Sequence, residues 1–284
     1  MKSNKIKSIF NNSLKKTSKH YCNLLEDFEL KEIHDFRLEI KKLRAFIRLV
    51  NTEATKKKSI KIKQKIKTFY NTTGKIRNVQ LHKQRIIQMC MSLSLVTPET
   101  YLELLNEEEA QEKKKARVEA EEISFPRFKE TVMKSMPEEL TTASIRSFTL
   151  QKSDALLALL SLSAYDDKTL HNTRKILKDI LYDWDYIMPY LASVFPEYFI
   201  HKENIESLAT KLGDFQDLCI ALSFLTPVYM DQITSEAEKE VLVVLRKKME
   251  WQKYNAKEQI VLLFDSIKKK IWVENTIREV CEIL

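Results

Sequence analysis

Apolar residues recur along this chain at spacings of three and four, the period of one helix face, through most of its length. A first helix is predicted from about Lys5 to Asp27, with Ile6, Phe10, Leu14, Tyr21, Leu24 and Phe28 as its buried stripe. A second runs from about Lys31 to Val50 on Ile33, Phe36, Ile40, Leu43, Ile47 and Val50. A third begins near Ser59, carries Ile62, Ile66, Phe69, Thr73 and Ile76, and continues past Gly74 toward Met91. Pro98 then opens a long helix of neighbouring Glu and Lys residues that reaches Ser124. Beyond the polar stretch from Met136 to Asp154, helices are expected at about 153–163, 167–190 and 201–225, with two longer ones over 234–282. Breaks are expected at Pro189, Pro196 and Pro227.

The pattern repeats itself. IHDFRLEIKKLR at residues 33–44 returns as LHNTRKILKDIL at residues 170–181, which places His34 on His171, Arg37 on Arg174 and Lys41 on Lys178. Apolar Ile33, Ile40 and Leu43 fall on Leu170, Leu177 and Ile180. The only two glycines, Gly74 and Gly213, follow in TTGKIRNVQ and KLGDFQDLC, where Ile76 and Val79 keep the spacing of Phe215 and Leu218. Two matched signals in the same order read as an internal duplication. The halves are 1–136 and 153–284, joined by a linker at 137–152, and together they form one domain.

Composition agrees with helices. The chain is 44% apolar with 2 Gly and 6 Pro among 284 residues, too little turn chemistry for a sandwich or barrel. The expected fold is therefore all-α, two antiparallel helical bundles related by a pseudo-twofold axis. No run approaches the roughly 18 apolar residues of a membrane span, and MKSNKIKSIFNNSLKK lacks the apolar core of a signal peptide, so a cytoplasmic protein with no membrane insertion is expected. Cys22, Cys90, Cys219 and Cys281 are scattered without ligand spacing, which argues against a zinc site or a disulfide framework. No cofactor and no metal are expected.

Charge changes the picture. Residues 1–96 carry 23 Lys or Arg against 7 Asp or Glu, while the remainder carries 25 against 33. A field of that size on one region attracts polyanions. Clusters such as Lys56 to Lys58 and Lys268 to Lys270 read simply as solvated surface. The second helix is more specific, because His34, Arg37, Lys41, Arg44 and Arg48 recur one position after the apolar stripe. One residue turns a helix by about 100°, so these cations sit beside the packed face, at its lip. Lys63, Lys67, Tyr70, Gly74 and Arg77 form the same second row on the third helix. In the second half His171, Arg174, Lys178 and Lys202 persist, but Leu181, Asp185, Glu206 and Gln216 stand where Arg44, Arg48, Lys67 and Arg77 stood. A groove lined in this way suits phosphate oxygens, which accept charge-assisted hydrogen bonds from Arg, Lys and protonated His. His34 and His171 are candidate ligand contacts that would strengthen binding as pH falls, whereas His20, His82 and His201 read as structural.

These residues together resemble the CHAD family, the conserved histidine α-helical domains. The family's signature is a histidine followed by basic residues at +3, +7, +8 and +10, which His34, Arg37, Lys41, Lys42 and Arg44 match in full. Its later Leu-Gly-x-x-Arg-Asp-like segment is matched by Thr73-Gly74-Lys75-Ile76-Arg77-Asn78, with Asn78 in place of Asp. In the second half Asp179 and Leu181 depart from the signature, and Leu212-Gly213-Asp214-Phe215-Gln216-Asp217 keeps the glycine and aspartate. The resemblance covers about residues 4–280. It implies two helical bundles around a basic central cavity, binding of inorganic polyphosphate, and association with polyphosphate granules. The Glu-x-Glu-x-Lys signature of the triphosphate tunnel domain fused to some members is absent, so a stand-alone module is expected, with the first half dominating.

Catalysis on phosphoanhydrides is not expected, since there is no P-loop and the acidic residues of 101–122 read as ion pairs on a helix surface. Asp214 and Asp217 could help hold a metal, although Asp217 reads better as a partner orienting a basic side chain. RNA or general polyanion binding is the main alternative, because a phosphodiester backbone draws on the same cations. Base recognition would favour aromatics interleaved with the basic row, where only Tyr70 stands. A helical scaffold that docks a partner on the charged helix at 98–124 is the second alternative.

Overall fold

The computed structural model describes residues 1–53 and 59–283, apart from the side chains of Asn275 and 277–283. The lysines at 56–58 and the Cys281 thiol lie outside these described residues. Among the described residues the chain is mostly helical, and the only β feature is an isolated antiparallel bridge between Lys2 and Glu139. In order the helices are α1 (Ser3–Asp27), α2 (Leu30–Val50), α3 (Gln64–Leu93), α4 (Glu99–Glu121), α5 (Phe125–Met133), α6 (Thr142–Leu160), α7 (Asp167–Tyr182), α8 (Trp184–Leu191), α9 (Lys202–Ser223), α10 (Pro227–Met230) and α11 (Glu236–Ile283).

The expected apolar rows form the core. Ile33, Phe36, Ile40, Leu43, Ile47 and Val50 of α2 are all buried, as are Ile62, Ile66, Phe69, Thr73 and Ile76 in and just before α3. Leu170, Thr173, Leu177, Ile180, Trp184 and Ile187 of α7 and α8 are buried likewise. One large core joins α1, α2, α5, α6, α7 and α8 to the first part of α3 and α9, and a smaller one ties the far ends of α3 and α9 to α4 and the start of α11. The decisive arrangement is that α2 packs against both α3 and α7, while α7 packs against α9. The two helices carrying the repeated segment are therefore neighbours, and the rows at their lips face one space.

Local chemistry sets several boundaries. Asp166 caps α7 by accepting from the Thr169 amide at 2.7 Å, and Thr141 caps α6 by accepting from Ser144. α1 ends at Phe28 in the left-handed region, φ 56°, a position that costs a side chain roughly 1–2 kcal/mol. That conformation is held by complete burial of the Phe28 ring and by Arg117 of α4, which donates to the terminal carbonyls of Leu25 and Glu26.

Four boundaries differ from the sequence reading. Of the linker expected at 137–152, only the part up to Thr141 is non-helical, because Ile145, Phe148 and Thr149 continue the buried period of α6 toward its N-terminus. The helix expected over 167–190 is interrupted at Asp183, ahead of Pro189, which lies inside α8. The two helices expected over 234–282 are one, since no Gly or Pro interrupts 236–283. The third helix starts at Gln64 rather than near Ser59, and Ile60 is held instead by the Asn51 side chain, which accepts from its amide at 2.8 Å. The acidic positions of α4 are also less solvated than expected: Glu109 is buried, accepting from Gln80 at 2.9 Å and pairing with Lys83 and Lys113.

Candidate anion-binding cleft

Between α2, α3, α7 and α9 lies a cleft of about 560 Å³. α2 contributes Arg37, Lys41, Arg44 and Arg48, successive members of the row beside its buried stripe, and α3 adds Tyr70, Arg77 and Asn78. α7 faces them with His171, Arg174, Lys175, Lys178 and Tyr182, and Gln216 and Asp217 of α9 close one side. Cations from both copies of the repeated segment thus line one concave surface.

Tyr70 of α3 holds two of the first-half arginines in place. Arg37 donates to the Tyr70 carbonyl, and its guanidinium lies over the Tyr70 ring, 4.0 Å from the centroid. Arg44 approaches the same ring at 5.7 Å. Gly74, one turn along α3, explains how Arg37 can lie so close: a Cβ there would sit 2.5 Å from Arg37 Nη1 and 2.8 Å from Cζ. The backbone of α3 acts as a shelf for the guanidinium. Gly213 of α9 stands against Arg174 in the same sense but more loosely, with 3.5 Å to Nε. His171 is oriented by α9, its Nδ1 donating to the Gln216 carboxamide oxygen at 2.8 Å.

Electrostatically the cleft is frustrated. Burial and then the charges of Arg37, Arg174, Arg77 and Lys178 push the Lys41 ammonium down to about 8. Burial, followed by neighbouring cations, likewise lowers Arg37 and Lys178. His34 and His171 are lowered chiefly by desolvation, so both imidazoles favour the neutral form more than a free histidine does. Among the described residues, no acceptor meets the buried Nε of Arg48, Arg77 or Arg174. Unmet donors and mutually repelling cations describe a surface whose strain a multivalent anion would relieve.

The rows are not equal along their length. Asp179, at the place of Lys42 in the first copy, pairs with Arg48 and accepts from Lys152 of α6 at 2.7 Å. Arg48 is therefore already partnered. Beside this trio Asp183 is completely buried, with no hydrogen-bond donor on either carboxylate oxygen among the described residues, and burial followed by the Asp179 charge pushes it up to about 8.

Of the residues singled out by sequence, Arg37, Lys41, Arg44, Arg48, Arg77, His171, Arg174 and Lys178 meet in the cleft. His34 is exposed on α2, one turn before Arg37 and within reach of the Arg77 charge. Lys67 lines a separate small hollow with Arg44 and Tyr70. Lys63 precedes α3 in solvent, and Lys202 stands at the start of α9, 3.8 Å from Glu206. Sequence reasoning missed Lys152, Lys175 and Tyr182. Tyr182 was recoverable, since 171, 174, 178 and 182 continue one row at spacings of three and four, but Lys152, which pairs with the cleft residue Asp179, comes from what read as linker.

The remaining histidines sit elsewhere. His82 is buried, bonded to the Tyr101 hydroxyl at 2.8 Å and stacked on Phe224, and burial holds it down at about 3. His20 pairs with Glu32 at 2.9 Å, and together with Asp35 these residues place potential ligand atoms within 4.8 Å of one another, away from the cleft. No helix among the described residues is long and apolar enough to cross a membrane.

Comparison with known proteins agrees with this architecture. The crystal structure of the CHAD domain from the plant Ricinus communis is similar, with a TM-score of 0.70 at 14% identity over 95% of this chain and 91% of that one. PptA from Streptomyces chartreusis is similar at a TM-score of 0.69 and 12% identity, over 93% of this chain and 99% of that one. At such identities the likeness is one of fold. No curated protein matches the sequence. The CHAD domain profile matches residues 8–226, from the first turns of α1 to the end of α9, so the helices that build the cleft fall inside it and the chain belongs to the CHAD domain family.

Proposed function

We propose that this protein binds inorganic polyphosphate in the cleft between α2, α3, α7 and α9, without acting on it chemically. The observation that carries the reading is the convergence of Arg37, Lys41, Arg44, Arg77, Arg174 and Lys178 on one space, with Lys41 depressed to about 8 by burial and then by its cationic neighbours. A ligand that presents closely spaced anionic oxygens and little else suits such a surface, because it turns repulsion into charge-assisted hydrogen bonds along the whole row. Membership of the CHAD family supports the same ligand class. The cytoplasm, and the surface of polyphosphate granules within it, is the corresponding location.

Nucleic acid shares the phosphate chemistry but needs platforms for its bases. Tyr70 is occupied, with Arg37 on its ring at 4.0 Å and Arg44 nearby. The test is a competition at about 0.15 M salt, where weak surface attraction is screened: labelled long-chain polyphosphate against equal phosphate equivalents of single-stranded RNA and duplex DNA. Polyphosphate retained against both supports the proposal. Displacement by RNA at equal or lower phosphate concentration would replace it with a general polyanion or RNA-binding function.

A further inference from the structure

The anion cleft does not end at Asn78. A second chamber of about 530 Å³ adjoins it between α3, α9 and α11, and the two share Asn78, Asp217 and Ile220 on their walls. Its chemistry differs from that of the cleft. Asn78, Gln88 and Gln252 present carboxamides, Arg85 and Asp217 carry opposite charges, and Met89 and Ile220 supply apolar surface. His82, also on this wall, has a fixed tautomer. The Tyr101 hydroxyl donates its one proton to the Phe224 carbonyl at 2.8 Å, so its 2.8 Å contact with His82 Nε2 requires the imidazole proton to sit on Nε2. Burial keeps the ring neutral, with a pKa of about 3. His82 Nδ1 is therefore an acceptor on a side chain only 2% exposed, and among the described residues it meets no donor. Buried acceptors are ordinarily satisfied, so this wall has one hydrogen bond left to make.

We propose that cleft and chamber together form a site for a purine nucleoside polyphosphate, with the phosphates in the cleft and the nucleoside in the chamber. This rests on the reading of the cleft as a phosphate site. The cations begin at the joint between the two spaces, where Arg77 precedes Asn78 on α3. Asp217, at the same joint, is the kind of group that accepts from ribose hydroxyls. A carboxamide sets a donor beside an acceptor, the pattern a purine edge presents, while Met89 and Ile220 offer a flat ring apolar contact. A ring N–H or an amino group supplies the donor that His82 Nδ1 lacks. Ionised inorganic polyphosphate is an acceptor only and leaves these groups unused. A sugar or inositol phosphate has the hydroxyls but no flat apolar face.

Calorimetric titration of ATP, tripolyphosphate and long-chain polyphosphate into the full chain tests this. Tripolyphosphate carries at least as much negative charge as ATP, so charge alone does not favour the nucleotide. The expected result is ATP bound at least tenfold tighter than tripolyphosphate. Gln88→Ala combined with Gln252→Ala, neither side chain being part of the core, removes that margin and leaves tripolyphosphate affinity unchanged. Arg77→Ala weakens both ligands. The nitrogen resonance of His82 Nδ1 shifts on addition of ATP and stays in place with tripolyphosphate. ATP bound no tighter than tripolyphosphate, or a margin indifferent to both glutamine substitutions, overturns the proposal and leaves the cleft reading standing. Failure of all three ligands to bind overturns both.

Discussion

Gly74 and Gly213 occupy equivalent places in the two glycine segments, yet they answer to different constraints. Replacing glycine by alanine within a helix is worth up to about 1 kcal/mol in backbone entropy. At Gly213 the nearest atom to a new Cβ is Arg174 Nε at 3.5 Å, an ordinary contact, so Gly213→Ala raises thermal stability and leaves anion affinity unchanged. At Gly74 the methyl group would occupy the place of the Arg37 guanidinium, whose flexible end can move only by leaving Tyr70. Gly74→Ala is therefore expected to fold and to lose about tenfold in polyphosphate affinity, read by titration beside a melting curve. Lys41 sets the pH response. Its free-state value of about 8 rises when an anion favours the charged form, so binding takes up protons near pH 8 and affinity falls as pH climbs through that value. Calorimetry in buffers of different ionisation enthalpy measures that uptake. Asp183 titrates with the opposite consequence for folding. Its folded value of about 8 exceeds the ordinary 3.8, so the folded state binds more protons between them and stability drains as pH rises from about 4 to 8. Asp183→Asn is expected to raise the melting temperature more at pH 9 than at pH 5.

At the level of the helix, the stripe and the row beside it were legible because α2, α3 and α7 are regular. A helix whose apolar residues keep the period must bury that face, and the neighbouring row must then stand at the edge of the packed surface. The positions that escaped are those where one element meets another out of register with the repeat. Lys152 reaches the cleft wall from α6, whose first turns carry few apolar residues and read as linker. The break at Asp183 has no glycine or proline to mark it, and its buried carboxylate became visible only once α6, α7 and α8 were packed. Asp179 was noted as a departure, but its hold on Arg48 and Lys152 depends on α2 and α6 lying on either side of α7. This yields a prediction for the element: Asp179→Asn frees both cations and raises polyphosphate affinity roughly three- to tenfold, equivalent to about 1 kcal/mol. The same change lowers the stability of the ligand-free chain, and added polyphosphate restores it.

For the whole molecule, the excess of positive charge in residues 1–96 and of negative charge beyond them takes on meaning from the fold. α2 and α3 bring the strongly basic half to the cleft, while α7 brings the few cations the second half retains, so anion binding would draw on both halves at once. The α-helical class and the CHAD resemblance were readable from spacing and from the two repeated segments. The cleft itself depends on the direct contact of α2 with α7, which no periodicity states. The most direct measurement is a calorimetric titration of long-chain polyphosphate into the native protein, Arg37→Ala, Arg174→Ala and the double variant, each checked for helicity. The account predicts that each single change costs at least tenfold, that the double change abolishes saturable binding, and that the fold survives in all four. Undiminished binding by the folded double variant would contradict the account and move the polyanion site off this cleft.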